Sequence, residues 1–289
     1  MATEPTEHML LTFSEEDGEF LFEHINRPQP FGMNDHYHDT YEIYYLVAGE
    51  RNYFIRDRTY DVDAGDLVFI NKNEVHKTSD LGMPGHERIL INFSEAFLTG
   101  GGGQLVVGPE VLGIFHQDTH LLRLKPPEQA FIQSLFGKLA HELARKQSGW
   151  ECYIRLLVIE LLLFAARHTH RNAAASTESN HPLHKKISEI VHFINQNYRE
   201  PLRLAELSER FYISPYYLSR KFRKVTGFSL IEYVNLKRIT EAQRLLRETD
   251  GKIIEISSSV GFDNPAHFNR IFKQIAGTTP MNYRKMHRI

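Results

Sequence analysis

One cysteine and one tryptophan are all that this chain of 289 residues contains of those types, and long apolar runs are missing altogether. A lone Cys152 cannot close an internal disulfide, which excludes the small disulfide-stapled folds and fits a reducing compartment. Cys152 falls in an apolar helical stretch, so the expectation is a buried packing residue. The first nineteen residues lack both a basic start and an apolar core, so no secretion signal is expected. No segment approaches the roughly 18 consecutive apolar residues of a membrane span, and even Leu156 to Ala166 is broken by Glu160. These absences lead to the expectation of a cytoplasmic protein that does not enter a membrane.

Charge of one sign is scarce only in the sum. The formal net charge is −2, yet residues 183–289 carry 19 Lys plus Arg against 10 Asp plus Glu, while residues 1–182 carry 15 against 26. A basic C-terminal part joined to an acidic body is the asymmetry expected when one part meets phosphate.

That basic part contains one unit twice. Glu206, Leu207 and Ser208 are followed by Phe211, Ile213, Leu218, Arg220, Phe222, Gly227 and Tyr233. Glu255, Ile256 and Ser257 are followed by Val260, Phe262, Phe268, Arg270, Phe272, Gly277 and Tyr283. The offset is 49 before the turn and 50 after it, so the second copy has gained one residue at the turn. Each copy reads as a short helix, a tight turn and a second helix. Ser214-Pro215 supplies a cap and a first helical proline, and in the second copy Asp263 or Asn264 caps before Pro265. Gly261 suits the positive φ of the turn. Leu218 and Phe222, like Phe268 and Phe272, stand four apart and share an inward face. The opposite faces carry Arg and Lys, as in a helix-turn-helix whose second helix enters the major groove.

These residues carry a resemblance. Ser214-Pro215-Tyr216-Tyr217-Leu218-Ser219-Arg220-Lys221-Phe222, with Gly227-Phe228-Ser229, and Phe268-Asn269-Arg270-Ile271-Phe272-Lys273 closed by Gly277-Thr278-Thr279-Pro280, resemble the DNA-binding domain of the AraC/XylS transcription regulators. Ser208 and Ser257 stand where that family usually has alanine. By outward position and by the family motif, Tyr216, Ser219, Arg220, Ala266, His267, Asn269 and Arg270 are candidates for base edges. Arg223, Lys224, Lys273 and Arg284 are candidates for phosphate. Between the copies, Ser229 to Glu248 reads as one long helix that sets their separation, about one turn of DNA. Arg238 within it is expected to anchor structure through an ion pair.

From Phe20 to about Phe93 the periodicity is that of strands, with β-branched and aromatic runs at Tyr41 to Val47, Asn52 to Asp57, Asp66 to Ile70 and Arg88 to Phe93. This region resembles a cupin: His36, His38, Glu42 and Gly49 match its first motif, and Gly65 and His76 the frame of the second. Asn71 and Asn73 replace the usual proline and glycine there, and Asp80 the usual asparagine. If His36, His38 and Glu42 share one strand, their even spacing projects all three from one face. Joined by His76, they are plausible metal ligands. The resemblance to regulators implies instead that such residues are structural or contact a ligand, so no cofactor and no enzymatic activity are expected. The candidate ligand-binding set is His36, His38, Glu42, Tyr44, Arg51 and His76, with Tyr37, Tyr41, Tyr45, Tyr53, Phe54 and Tyr60 as aromatic walls suited to a sugar.

Beyond Phe97, Gly100 to Gly103 read as a flexible loop. Glu128 to Lys146 and Trp150 to His168 then read as two long helices. Ile154, Leu157, Val158, Leu161, Leu162 and Ala165 form a broad apolar face on the second. An antiparallel helical pair of this kind resembles the family's dimerisation element, and the alternative is a layer packed on the barrel of the same chain. The expected fold is a two-domain α+β chain: an N-terminal cupin-like β-barrel with a helical pair, and a C-terminal all-α domain of two helix-turn-helix units. Residues 1–168 sense ligand and dimerise, 169–182 link, and 183–289 bind DNA. The expected function is that of a homodimeric, sequence-specific transcription regulator. It is expected to be an activator that works with RNA polymerase and double-stranded DNA under control of a small effector, with a metal- or redox-responsive regulator as the first alternative and a metal-dependent cupin enzyme fused to a DNA-binding domain as the second.

Overall fold

The computed structural model of the chain describes residues 8–15, 18–29, 38–81, 85–100, 108–117, 119–172 and 182–287. It separates into two compact units, Met1–Ser179 and Asn180–Ile289.

The first unit begins with eight strands: β1 (His8–Ser14), β2 (Phe20–Arg27), β3 (Tyr41–Ala48), β4 (Glu50–Ile55), β5 (Arg58–Asp63), β6 (Leu67–Ile70), β7 (His76–Asp80) and β8 (His86–Phe93). Two short helices follow, α1 (Glu95–Thr99) and α2 (Pro109–Leu112), then a brief strand β9 (Leu121–Leu122) and two long helices, α3 (Pro126–Arg145) and α4 (Trp150–Asn172). The strands form a six-stranded sheet in the order β1-β2-β8-β3-β6-β9 and a three-stranded sheet in the order β5-β4-β7. Every pairing is antiparallel.

Strand alternation sorts the side chains into two cores. On β3, Tyr41, Ile43 and Tyr45 join Phe20, Phe22, Phe69, Ile91 and Phe93 in a cluster with the helices, whereas Tyr44 and Leu46 join Tyr53, Ile55, Tyr60, Val62, Val68, Ile70 and Leu90 between the two sheets. The unit is therefore three layers deep, with β3 buried on both faces.

The same packing corrects one expectation about α4. Ile154, Leu157, Val158, Leu161, Leu162 and Ala165 are each at most 2% exposed and belong to the core shared by the sheet and the helices. Burying such side chains stabilises by roughly 1.5–3 kcal/mol each, so this face covers its own sheet and is not open to a second copy. Apolar side chains do reach the surface of the helical layer, at Phe131, Tyr153 and Leu156. Cys152 is exposed rather than buried, because it lies off the inward stripe of α4. The helix also runs on to Asn172, beyond the expected start of the linker. Gly100 caps α1 in the left-handed conformation, while residues 101–103 and 173–181 lie outside the described residues.

The second unit is helical: α5 (Pro182–Asn197), α6 (Leu204–Arg210), α7 (Pro215–Thr226), α8 (Leu230–Glu248), α9 (Ile253–Ser259), α10 (Pro265–Ala276) and α11 (Pro280–His287). The capping chemistry is visible in the hydrogen bonds. Ser214 Oγ accepts from the amide of Tyr217, Ser229 and Glu232 form a reciprocal capping box, and Asn264 Oδ1 accepts from the amides of Ala266 and His267. Asp263 is the residue gained in the second copy, a bend between Phe262 and the cap. At the turn itself the copies differ in side chain but share a positive φ, 55° at Tyr212 and 95° at Gly261.

The long helix α8 joins the two halves through Arg238. Its Nε donates to the carbonyl of Tyr198 at 2.7 Å, its Nη2 to that of Glu200 at 2.9 Å, and the guanidinium lies over the Phe262 ring. The anchoring expected of Arg238 is thus made through backbone carbonyls, whose lone pairs the turn after α5 leaves free, with Asp263 only a nearby charge.

Gly261 is the residue at which this joint tolerates least. A Cβ there would stand 2.6 Å from the Arg199 carbonyl oxygen and 2.9 Å from its Cα, in a backbone conformation that alanine resists. Gly261→Ala is expected to destabilise the C-terminal unit by more than about 1 kcal/mol, seen as a fall of several degrees in its thermal midpoint. Gly137→Ala in α3, where a Cβ meets nothing within 4 Å, should instead be neutral or slightly stabilising.

Candidate functional site

The space between the two sheets holds the first site. His38 lies in the loop before β3 and not on the strand, so one-strand spacing does not explain its position; His36 and Tyr37 lie outside the described residues. Its ring nevertheless reaches Glu42, with Nε2 3.0 Å from Oε2. The Thr40 carbonyl at 2.9 Å and the Thr40 hydroxyl at 3.0 Å hold the other ring nitrogen. His76, at the start of β7, places Nε2 3.8 Å from the same Glu42 oxygen and directs Nδ1 to the Glu74 carbonyl at 2.8 Å. The two imidazoles meet edge to face, 5.1 Å apart. Asn73 keeps the loops together: its amide donates to the His38 carbonyl at 2.9 Å, from a backbone with φ 58°. Asparagine tolerates that conformation, so the position occupied by glycine in the cupin motif keeps its geometry.

The electrostatics follow from burial and pairing. Burial alone would raise the Glu42 carboxyl, but the His38 hydrogen bond and the charges of His76, His38 and Arg88 outweigh it and hold the group at about 2. Burial would lower His38, yet Glu42 and the Thr40 carbonyl outweigh it and raise the imidazole above its ordinary value. Among the described residues, His38, Glu42 and His76 form a donor set whose ligand atoms lie within 4.8 Å of one another.

Further along the same space, Tyr44 and Tyr53 pack edge to face at 5.0 Å, and Tyr60 is equally buried. Burial pushes Tyr44 up to about 12 and Tyr53 well above its ordinary value, so both phenols remain O–H donors. Tyr41 and Tyr45 leave the expected wall, because alternation turns them toward the helices. Tyr41 donates to Glu95 at 2.9 Å, and the Tyr45 hydroxyl accepts from Gln133 at 3.1 Å. Phe54, on the opposite face of β4 from Tyr53, leaves it too.

Arg51 is fully buried, donating to Thr78 at 3.0 Å, pairing with Asp80 and lying 3.4 Å from His86 Nδ1. Arg88 donates to Glu23 at 2.8 Å. Burial first, then Arg51, Arg27 and Arg88, push His86 down to about 3. Sequence reasoning missed Arg88 and His86 as site residues. The available signal was a cation followed by an apolar run within a strand, which places its charge inside the sheet pair.

The second site lies on the helical unit. Leu218, Phe222, Phe268 and Phe272 are fully buried, and Tyr216, Ser219, Arg220, Arg223, Lys224, Ala266, His267, Asn269, Arg270 and Lys273 are exposed on the outer faces of α7 and α10. Arg284 differs: half-buried, it donates to the Gly251 carbonyl at 2.6 Å and ties α11 to the turn before α9. That bond removes it from the phosphate set, because the guanidinium is already committed to the fold. Arg199 and Arg203, which sequence reasoning passed over, line a cleft of 480 Å³ beside His267 and Arg270.

A sheet domain with a buried polar interior, followed by two helix-turn-helix units in a basic helical domain, defines a ligand-binding transcription regulator. A profile of the AraC-like ligand binding domain matches residues 22–162, and one of the helix-turn-helix domain matches residues 207–286. The HTH-type transcriptional regulator YdiP of Escherichia coli is 27% identical over 259 residues, 86% of this chain and 80% of its own. The HTH-type transcriptional activator RhaR of Yersinia pestis is 25% identical over 258 residues, 87% of this chain and 84% of its own. A crystal structure of ToxT from Vibrio cholerae is similar over 93% of this chain and 98% of that one, at 13% identity and a TM-score of 0.37. The chain belongs to the AraC/XylS family of transcription regulators. No described helix is long and apolar enough to cross a membrane.

Proposed function

We propose that the protein is a transcription activator of the cytoplasm that grips double-stranded DNA through α7 and α10 and answers to a carbohydrate held between its two sheets. The observation that carries the DNA half is the division of both recognition helices into a buried aromatic-aliphatic face and an exposed basic-polar face. Tyr216, Ser219, Arg220, Ala266, His267, Asn269 and Arg270 face base edges, and Arg223, Lys224 and Lys273 face phosphates. The effector half is supported by the buried hydroxyls of Tyr44 and Tyr53 beside the Glu42 carboxylate, which suit a polyol. Binding there would select one arrangement of the DNA-binding units over another, changing engagement of RNA polymerase; the activator sense is supported by the relative named as an activator. A carbohydrate that binds without altering DNA affinity or transcription would contradict this reading.

The proposed homodimer would use the outer side of α3 and α4. Phe131, Leu156, Ile159, Leu163 and Phe164 line a shallow groove there, with Phe131 stacked on Phe164 at 4.9 Å. A second copy of the chain would cover it.

A second reading is favoured by one observation. The Nδ1 atoms of His38 and His76 both face backbone carbonyls while their Nε2 atoms face Glu42, the anchoring found around metal-ligating histidines. Two imidazoles and a carboxylate fit a divalent transition metal. His38, Glu42 and His76 would hold it, and it would supply a charge that fastens the loop before β3 to β7. The regulator would then sense metal.

Three measurements test these readings. Arg270→Ala and Asn269→Ala should each weaken operator binding by about 1–3 kcal/mol and relax preference at one base pair. Lys273→Ala should weaken all sequences alike and lower the salt slope by about 1. Fluorescence anisotropy across salt separates the two behaviours, and identical behaviour of Arg270→Ala and Lys273→Ala would remove the assignment. Leu156→Asp should shift the protein toward monomer in analytical ultracentrifugation without unfolding it. Metal analysis of untagged protein should find stoichiometric metal, lost in His38→Ala, if the second reading holds; metal-free protein that still senses its effector removes it.

A further inference from the structure

Several polar atoms between the sheets are left over once the fold has been satisfied. The Arg88 side chain, 6% exposed, gives Nη2 to Glu23, but its Nη1 has no hydrogen-bond partner among the described residues. The same holds for the hydroxyls of Tyr44 and Tyr53 and for Oε1 of Glu42, all three residues being fully buried. Buried polar groups are nearly always paired, and leaving a charged donor unpaired is costlier than leaving a neutral one.

Their placement is ordered. Arg88 stands opposite Leu46 in the pairing of β8 with β3, and Tyr44 stands opposite Leu90. Glu42, Tyr44 and Leu46 share one face of β3, so the row runs from Glu42 past the two phenols to Arg88. Four residues of strand span about 13 Å between backbone positions, and the Arg88 guanidinium, turned to Glu23, lies at the far side of the phenols while its charge still bears on Glu42. Arg51, from the facing sheet, adds a second guanidinium at the Arg88 end, where it pairs with Asp80. An apolar effector would leave every one of these atoms unpaired, and a neutral sugar would offer Arg88 Nη1 only a hydroxyl where an oxyanion gives a stronger, charge-assisted bond.

We propose that the effector is a hydroxylated anion of monosaccharide size, a sugar acid or sugar phosphate, with its oxyanion on Arg88 and its hydroxyls on Tyr44, Tyr53 and Glu42. The Glu42 carboxylate repels a second negative charge and so fixes the direction in which the ligand lies. This inference rests on the reading of the N-terminal unit as a carbohydrate sensor and sharpens it to an acidic class.

The test uses the full-length protein in thermal-shift and calorimetric titrations. Its arms are galacturonate, glucuronate and gluconate, glucose 6-phosphate and galactose 1-phosphate, and the neutral parents galactose and glucose. An acid arm or a phosphate arm should bind at least tenfold more tightly than its neutral parent, and the stronger arm identifies the source of the anion. Arg88→Gln should reduce that binding at least tenfold. Because Arg88→Gln also disturbs the Glu23 pair, Tyr53→Phe provides a variant of unchanged shape, expected to lose affinity severalfold at an unaltered melting temperature. Binding of a neutral sugar with both anionic arms silent overturns the anion and leaves the carbohydrate sensor standing. Silence in every arm overturns both. Anion binding unchanged in Arg88→Gln and Tyr53→Phe overturns the site.

Discussion

The strand β3 is buried on both of its faces, and the N-terminal unit is built around that constraint. A strand in this position has no solvent side on which to place polar residues, so each one it carries must find a partner inside the protein. Tyr41 and Tyr45 meet the requirement toward the helices, through Glu95 and Gln133. Glu42 meets it in the other direction, through His38. A two-faced strand therefore both binds the helical layer to the sheet and supplies the wall of the candidate site. The same residue run that stabilises the fold also determines which chemistry faces inward.

Much of this was legible in the sequence, and the limits have physical causes. The central strands and both long helices follow from periodicity, and the capping residues Ser214, Ser229 and Asn264 mark where helices begin. Strands β1 and β9 were not legible. The first lies in a stretch whose polar mixture hides its pairing with β2, and the second is two residues long. The aromatic residues of β3 could not be assigned to one face or the other from composition, since a doubly buried strand shows no polar alternation. The apolar face of α4 was legible as a face, but periodicity does not say whether the covering surface comes from the same chain. Its six residues pack against their own sheet.

The histidine cluster illustrates a different limit. Even spacing suggested a shared strand, yet His38 precedes β3 and reaches Glu42 because the Thr40 carbonyl and hydroxyl orient its ring. The residues were found and the reason was not, since a loop supplied by neighbouring hydrogen bonds can mimic strand geometry. Arg88 and Arg284 show the converse. A basic residue in a strand and one in a basic helix look alike in sequence, but burial gives the first a place between the sheets, while the Gly251 carbonyl gives the second a structural task.

Arg238, with one guanidinium bound to two carbonyls and laid over Phe262, makes the helical unit a single two-headed body. If both heads engage DNA as proposed, seating one holds the other at a high effective concentration over its own segment, so two modest contacts multiply into one strong one. The same stiffness removes tolerance. An operator whose two segments are out of phase cannot be met by a swivel of the heads, and the second contact is then lost whole rather than weakened in proportion.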